Sequence, residues 1–190
     1  MKRMSSLAYH FGLKVRFYPS SKQKKIIKLN YDAQRFVYNS YVGRNRNNYR
    51  AKGYLAVRKY QVMPFAFSVL NNYETKLAEE VVANNELLAK PKNIRDAYSF
   101  LRVKEIDSLA IANAIQNYQK AWNNYRKLGH GIPTFHKKRS DWSYQTNCQY
   151  PKQTEAFLDN GTARFIDAKH VKLPKLGCSP LATRGLKRLW

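Results

Sequence analysis

Lys14 and Arg16 are the first side chains whose types and spacing suggest chemistry, namely the binding of phosphate. They alternate with apolar residues, which predicts a half-buried strand with three inward-facing side chains: Leu13, Val15 and Phe17. Pro19 ends this strand, and Ser20 or Ser21 can cap a helix that starts beside the two cations. Helix N-termini attract phosphate. An ordinary edge strand with solvated charges fits the same pattern, and the residues leave both interpretations open.

Arg44, Arg46 and Arg50 form a second group of cations, in a stretch without acids. They follow a helical pattern that starts near Lys22 and that we expect to break near Asn30. Since their spacing does not give a clean helical stripe, we expect this stretch to fray into a loop. A basic loop among Asn and Tyr residues suits phosphate contact and base stacking. The alternative is the solvated end of a helix.

A third group of polar side chains lies on the clearest helix of the sequence, which begins at Asp107 or Ser108 and ends at Leu128, before Gly129. Its core stripe comprises Ile111, Ala114, Ile115, Tyr118, Ala121, Trp122, Tyr125 and Leu128. The opposite face is rich in amides and comprises Asn113, Gln116, Asn117, Lys120, Asn123 and Lys127. Such side chains can read base edges, or simply meet water.

Other side chains that often carry chemistry do not form a recognisable site. The four histidines have neither a paired nucleophile nor the spacing of metal ligands: His10, His130, His136 and His170. Cys148 and Cys178 lack CxxC spacing. The acids of the middle segment are spaced like charges on a solvated face: Glu74, Glu79, Glu80, Glu86 and Asp96. We therefore predict no catalytic residue, no metal and no cofactor.

Charge is distributed unevenly along the chain. Residues 1–60 hold 15 Lys/Arg against one acid, Asp32; residues 61–110 are nearly neutral; and residues 111–190 hold 14 Lys/Arg against four acids, for a net charge of +23. Like charges at this density favour binding to a polyanion that releases counterions, so nucleic acid is the leading partner. With 44% hydrophobic residues the chain can bury a core. It has no apolar run long enough for a membrane span, and its start is too polar for a signal peptide, so we expect a cytoplasmic protein without a membrane partner.

The order of elements predicts an α+β fold. Helical patterns cover about 64–89 and 94–103, and after Gly129 short runs with β character follow: Ser143–Thr146, Phe157–Leu158, Ala163–Asp167 and Val171–Leu173. Asn160 and Gly161 indicate a hairpin between two of these runs. The natural partner of this β element is the strand near residue 15. The helices would then form a bundle inserted into a small β-barrel or sheet.

Five motifs, in order, resemble the N-terminal half of the TnpB-type (OrfB) proteins, the accessory transposases of bacterial insertion sequences. The motifs are Arg16–Pro19, Arg35–Asn39, the helix Ile115–Tyr125, Pro133–Phe135 with Lys137 and Lys138, and His170–Gly177. The resemblance covers about residues 12–177, the helix-turn-helix-like or wedge and recognition regions of that family.

The resemblance implies an RNA-guided DNA nuclease in which a wedge-like β-barrel, interrupted by a helical recognition domain, holds guide RNA and a target-adjacent DNA motif. It implies a wedge-like domain at 1–20 and 129–177 around a helical domain at 21–128. The residues expected to grip phosphates are Lys14, Arg16, Lys137, Lys138 and Arg139. Asn113 and Asn117 are candidates for base contact. DNA and a guide RNA from the mobile element are the implied partners, and the nucleoid of a bacterial cell is the implied place.

The chain departs from the family after residue 177. In the family a RuvC-like nuclease with three metal-binding acids and a zinc ribbon follows this point, whereas Cys178–Trp190 contains no Asp, no Glu and no CxxC. This segment also fails to read like a continuing strand, so we expect a non-homologous tail at 178–190.

We therefore expect a truncated, nucleic-acid-binding fragment that does not cleave by itself. Two alternatives stay open. A separately encoded nuclease half could restore the activity in trans, or the chain could be an unrelated RNA-binding protein of ribosomal type.

Overall fold

The computed structural model describes residues 15–62, 72–90, 94–149, 161–167 and 169–182, with the backbone alone for 57–62. Its elements are α1 (Ser21–Val62), α2 (Asn72–Ala89), α3 (Ile94–Ala97), a 3₁₀ helix (Ser99–Arg102), α4 (Ser108–Leu128), β1 (Arg164–Asp167), β2 (His170–Leu173) and β3 (Gly177–Pro180). The fold is thus mixed, with helices and a small antiparallel sheet. The predictions for Lys14, Phe157–Leu158 and the hairpin at Asn160 lie outside the described residues.

Packing divides the chain into two compact units. We call residues 26–147 the helical unit, and residues 1–25 together with 148–190 the sheet unit. In this division, residues 129–147 group with the helices. The wedge-like domain that the family resemblance implies at 1–20 and 129–177 stays a prediction.

Helix α1 runs without interruption for 42 residues, or about 60 Å. The predicted break near Asn30 and the predicted fraying at Arg44–Arg50 were therefore wrong. Residues at steps of three, four or seven along α1 are buried, and these include two polar side chains: Asn30, Ala33, Val37, Tyr41, Asn48 and Ala51. Asn30 and Asn48 belong to the buried stripe rather than interrupting it, because both make hydrogen bonds inside the unit.

The start of α1 is fixed by a reciprocal pair of hydrogen bonds, as Ser20 in the sequence predicted. The Ser20 hydroxyl accepts from the backbone N–H of Gln23 (3.3 Å), and the Gln23 side-chain oxygen accepts from the backbone N–H of Ser20 (2.9 Å). This arrangement is a capping box, which satisfies two N–H groups that the first helical turn leaves free. The same Gln23 amide donates to the carbonyl oxygens of Leu176 and Cys178, at 2.9 Å each, and so ties the helix start to the strands.

Helix α4 has the bounds that the sequence predicted. The Asp107 carboxylate caps it by accepting from the N–H of Leu109 (3.0 Å), and Gly129 ends it in the left-handed conformation, with φ at 65°. The first turns of the predicted stripe are buried, but the stripe becomes exposed towards its end, where Tyr125 is 39% and Leu128 65% exposed.

The core of the helical unit is formed by α1, α4 and the short helices between them. Its buried members are Ala33, Val37, Tyr38, Tyr41, Val42, Ile94, Leu101, Ile106, Ile111, Ala114 and Tyr118. Phe36 packs edge-on against Tyr98 and Phe100, with ring centroids 4.9 Å apart in each pair. In α2, Glu74 is buried, which corrects its assignment to a solvated face.

The three strands form an antiparallel sheet in the order β1-β2-β3. Phe17 adds an antiparallel bridge to Leu181, and the N–H of Tyr18 donates to the Pro180 carbonyl (3.0 Å). The N-terminal segment thus pairs with the C-terminal part of the chain, as predicted, but its partners Pro180 and Leu181 lie beyond the strands that the sequence predicted. The described strands form an open sheet, and the barrel stays a prediction.

Strand β3 contradicts the expectation that the chain beyond residue 177 does not continue as a strand. Gly177–Pro180 pairs with β2 along its whole length. The sequence hid this strand because its inward-facing residue is polar: Ser179 is fully buried, and its hydroxyl accepts from the Gln23 amide (3.0 Å). Leu181, also buried, completes the alternation.

Candidate nucleic-acid interface

An extended segment of the helical unit, residues 133–147, crosses α1 and α4, and we call it the strap. Asn39 of α1 makes two hydrogen bonds to the backbone of one strap residue, His136. The Asn39 oxygen accepts from the N–H of His136 (2.8 Å), and the Asn39 amide donates to the His136 carbonyl (3.0 Å). The Tyr31 hydroxyl accepts from the N–H of Arg139 (2.9 Å). The backbone around the basic run 137–139 is therefore held from α1.

A second set of amides holds the far end of the strap. The Gln34 oxygen accepts from the N–H of Gln145 (3.3 Å), and its amide donates to the Gln145 carbonyl (3.1 Å) and to the Ala110 carbonyl (3.0 Å). The Asn113 amide also donates to the Gln145 carbonyl (3.1 Å). Side chains thus take the place of a neighbouring strand, which is why the predicted strand at Ser143–Thr146 is absent from the described elements.

The strap, α1 and α4 together enclose an open cavity of about 570 Å³. Its lining residues are Tyr31, Gln34, Arg35, Tyr38, Ala114, Asn117, Phe135, His136, Lys137, Arg139, Asp141 and Ser143. The sequence had singled out three of them as nucleic-acid contacts, on two separate parts of the chain: Asn117, Lys137 and Arg139. The fold brings these three together, and Lys138 lies between the last two.

The cavity carries more positive than negative side chains. Arg35, Lys137 and Arg139 line it against one carboxylate, Asp141. Arg35 lies 3.7 Å from the exposed Asp32, and its buried Nε has no hydrogen-bond partner in the structure. Partial burial and the neighbouring Arg139 both lower the pKa of His136 from its ordinary value of 6.5, so this imidazole is neutral at pH 7.

Aromatic rings form one wall of the cavity. The His136 ring lies flat on the Tyr38 ring, with centroids 3.8 Å apart and planes 5° from parallel. Tyr38 is itself buried and packs edge-on against Tyr118 at 6.3 Å. Burial raises the pKa of Tyr38, so its hydroxyl stays neutral over the physiological range. The stack is therefore uncharged and fixed by the core.

Asn113 and Asn117, the two candidates for base contact, lie in different surroundings. Asn113 is 3% exposed, and its amide is used by the strap backbone. Asn117 is exposed at the cavity and has no hydrogen-bond partner among the described residues. The surroundings therefore favour Asn117 over Asn113 as a base contact.

The three arginines of the second predicted group do not form one surface. The Arg44 guanidinium donates to the Asn84 oxygen (2.7 Å) and to the Tyr98 hydroxyl (2.9 Å), inside the helical unit. Arg46 lies over the Phe135 ring, 5.0 Å from its centroid. Arg50 is exposed and borders a smaller cavity, of about 280 Å³, between α1 and α2.

Arg16 belongs to the sheet unit and is treated separately. It is exposed, and its guanidinium lies 5.7 Å from the centroid of the Tyr18 ring. Val15 and Phe17 are half-buried against Val171 and Leu181, so the alternation that the sequence predicted is confirmed for residues 15–18. Whether Arg16 contacts phosphate stays a prediction.

Four cavity residues on α1 were not predicted as nucleic-acid contacts, although two of them belong to the Arg35–Asn39 motif: Tyr31, Gln34, Arg35 and Tyr38. They recur at steps of three, one and three, so they share one face of the helix next to the buried stripe. A search for polar and aromatic residues beside that stripe would have found them.

The described residues contain no group of three or more His, Cys, Asp or Glu side chains that could hold a metal ion. Cys148 and Cys178 are both free thiols. Across the same described ranges, no helix has the length and apolar character needed to cross a membrane.

Comparison with known families finds one match, over residues 8–53, to the model HTH_OrfB_IS605, a helix-turn-helix domain. A search of curated proteins gives no significant match. Over the described part of the matched segment, residues 15–53, the structure has the Phe17 bridge followed by the uninterrupted helix α1. By sequence, residues 8–53 are thus similar to the helix-turn-helix domain that this OrfB family model describes.

Proposed function

We propose that this chain is the nucleic-acid-binding part of a TnpB-type protein, which holds guide RNA and target-adjacent DNA and does not cleave either by itself. The observation that carries the proposal is the meeting of Asn117, Lys137 and Arg139 at one cavity of the helical unit. These residues come from two separate parts of the chain: Asn117 lies on the amide-rich face of α4, and the two cations lie in the basic run that the family resemblance marks. The OrfB match at residues 8–53 supports the DNA-binding part of the proposal.

The physical basis of binding is the release of counterions. Lys137, Lys138 and Arg139 are consecutive and exposed, and their backbone is held by Tyr31 and Asn39. Cations on a fixed backbone lose little freedom when they meet phosphates. The slope of log K against log salt is negative. Each phosphate neutralised makes it steeper by about 0.9 for duplex DNA and by about 0.7 for a single strand.

The guide RNA enters the proposal through the family resemblance. In RNA-guided proteins base pairing supplies most of the sequence specificity, while the protein contacts backbone shape and a short duplex motif. A basic surface that grips phosphates, with few groups free to read base edges, suits that division. Of the two amide side chains that line the cavity, Gln34 holds the strap, whereas Asn117 is exposed and has no hydrogen-bond partner among the described residues.

The proposal is tested by salt titration of nucleic-acid affinity. The variant Lys137→Gln/Lys138→Gln/Arg139→Gln should bind a single strand more weakly. The magnitude of its slope of log K against log salt should be smaller by about 2. The matched control removes three exposed cations from the neutral segment: Lys76→Gln/Lys90→Gln/Lys104→Gln. It should change the slope by less than 1. Equal effects of the two triple variants would contradict a specific role for the strap.

A second experiment tests which RNA the chain binds and whether the purified chain cleaves nucleic acid. Immunoprecipitation of the chain with sequencing of the bound RNA should enrich RNA from the end of its own mobile element, and a Mg²⁺-dependent assay with the purified chain should give no cleavage. Enrichment of ribosomal RNA instead would favour a ribosomal-type protein. Cleavage by the purified chain would contradict the proposal, and cleavage that appears only with a separately encoded nuclease half would favour a split enzyme.

A further inference from the structure

We propose that the cavity between α1, α4 and the strap is a site for one unpaired nucleotide, whose base stacks on His136 and whose phosphate lies among Arg35, Lys137 and Arg139. This inference rests on the proposed function and narrows it from nucleic acid in general to a single-stranded segment. The shared chemistry is a base with its phosphate, from either DNA or RNA.

The first argument is the His136 platform. One face of its ring is covered by Tyr38 at 3.8 Å and 5°, yet His136 as a whole is exposed and lines the cavity. A base placed on the ring face opposite Tyr38 would continue this parallel stack and form its third layer. Base stacking on aromatic side chains is the usual source of affinity for single strands.

The second argument is that this platform is rigid before anything binds. Asn39 holds both the N–H and the carbonyl of His136, and Tyr38 is anchored in the core against Tyr118. A ring that is fixed in advance loses little entropy on binding. An exposed surface histidine with a free side chain would not have these constraints.

The third argument is the kind of groups around the platform. Arg35 lines the cavity, with its guanidinium 3.7 Å from Asp32, and Lys137 and Arg139 follow His136 along the strap and line the same cavity. Asn117 offers an unpartnered amide, which can donate to or accept from a base edge. The one lining carboxylate, Asp141, leaves the site net positive.

The volume of the cavity also suits a single nucleotide. At about 570 Å³ the cavity falls in the range of small-molecule sites, about 300–1,000 Å³. Such a volume suits one nucleotide rather than a duplex, whose bases are already stacked and paired and would have to be extruded.

The test compares base-bearing and abasic strands. Fluorescence anisotropy with the full chain would use labelled 12-mers of DNA and of RNA, and abasic strands of the same length and charge. His136→Ala should weaken binding of the base-bearing strands about 5- to 100-fold and leave the abasic strands within twofold. His136→Phe, which keeps an aromatic ring, should retain most of the affinity, and His130→Ala, an exposed histidine outside the cavity, should have no effect.

Asn117→Ala provides a second variant, since this exposed side chain has no hydrogen-bond partner among the described residues whose loss would impair folding. It should weaken binding of the base-bearing strands several-fold and again spare the abasic strands. The DNA and RNA arms show which strand occupies the site.

The outcomes separate this inference from the proposed function. Failure of the unmodified chain to bind any strand in a salt-sensitive manner would overturn both. Two outcomes would overturn the nucleotide site alone, provided that the unmodified chain binds normally. In one, the variants lose equal affinity for base-bearing and abasic strands; in the other, neither His136→Ala nor Asn117→Ala loses any affinity.

Discussion

Replacement of Asn30 by alanine should destabilise the helical unit far more than replacement of an exposed asparagine. Asn30 is fully buried on α1. Its oxygen accepts from the N–H of Asp107 (2.7 Å), and its amide donates to the carbonyls of Glu105 (3.0 Å) and Ile26 (2.9 Å). Since Asp107 caps α4, one side chain fixes where that helix starts relative to α1.

The magnitude follows from the groups left behind. The buried N–H of Asp107 would lose its acceptor, which costs about 1–3 kcal/mol, and the bond to Glu105 contributes about 1 kcal/mol more. Alanine is the better helix former by about 0.6 kcal/mol, which offsets part of this. We expect Asn30→Ala to lower the free energy of unfolding by about 2–3 kcal/mol. For a chain of this size, that corresponds to a Tm lower by about 5–10 °C.

Urea denaturation followed by circular dichroism at 222 nm measures this change, because the described helices lie mainly in the helical unit. Asn123→Ala, an exposed position on α4, serves as the control and should be neutral or stabilising by up to about 0.6 kcal/mol. If both variants unfold at the same urea concentration, the buried hydrogen-bond network of Asn30 does not stabilise the fold as argued.

Three further predictions concern single groups. Gly129→Ala should cost about 1–2 kcal/mol in urea denaturation, because φ is +65° there while the space for a Cβ is open; a neutral effect would contradict the left-handed cap. The hydrogen bond from His170 lowers the pKa of Asp167, so His170→Ala should raise that pKa in an NMR titration of the carboxyl carbon, and an unchanged value would contradict the pair. The pKa of His136 is lowered in the folded chain, so stability should fall as the pH drops below 6.5 through the folded value. Arg139→Gln should raise that pKa in a proton NMR titration, unless the contact is absent in solution.

Elements with an unbroken apolar period or a clear cap could be predicted from the sequence. The bounds of α4 follow from Asp107 and Gly129, and the half-buried alternation of residues 15–18 follows from the apolar and basic pattern of the sequence. Elements whose inward-facing residues are polar could not. Asn30 and Ser179 are both buried and satisfied by distant partners, and a local pattern contains no sign of those partners.

The candidate site was predictable in its charges and not in its geometry. Lys137 and Arg139 belong to a consecutive basic run that the family resemblance marks, and Asn117 stands out on an amide-rich face. These three residues meet because the amides of Asn39 and Gln34 hold the strap. Gln34 and its partner Gln145 lie more than a hundred residues apart in the sequence. Such a contact is set by tertiary packing, which a single sequence does not display.

We propose above all that nucleic acid binds at the cavity formed by α1, α4 and the strap. Photo-cross-linking tests this most directly, with single-stranded DNA and RNA that carry 5-iodouracil and with mass spectrometry of the linked peptides. We predict cross-links at the cavity aromatics, Tyr31, Phe135 and His136, that are lost when excess unlabelled strand competes. Competed cross-links confined to residues outside this cavity would contradict the claim.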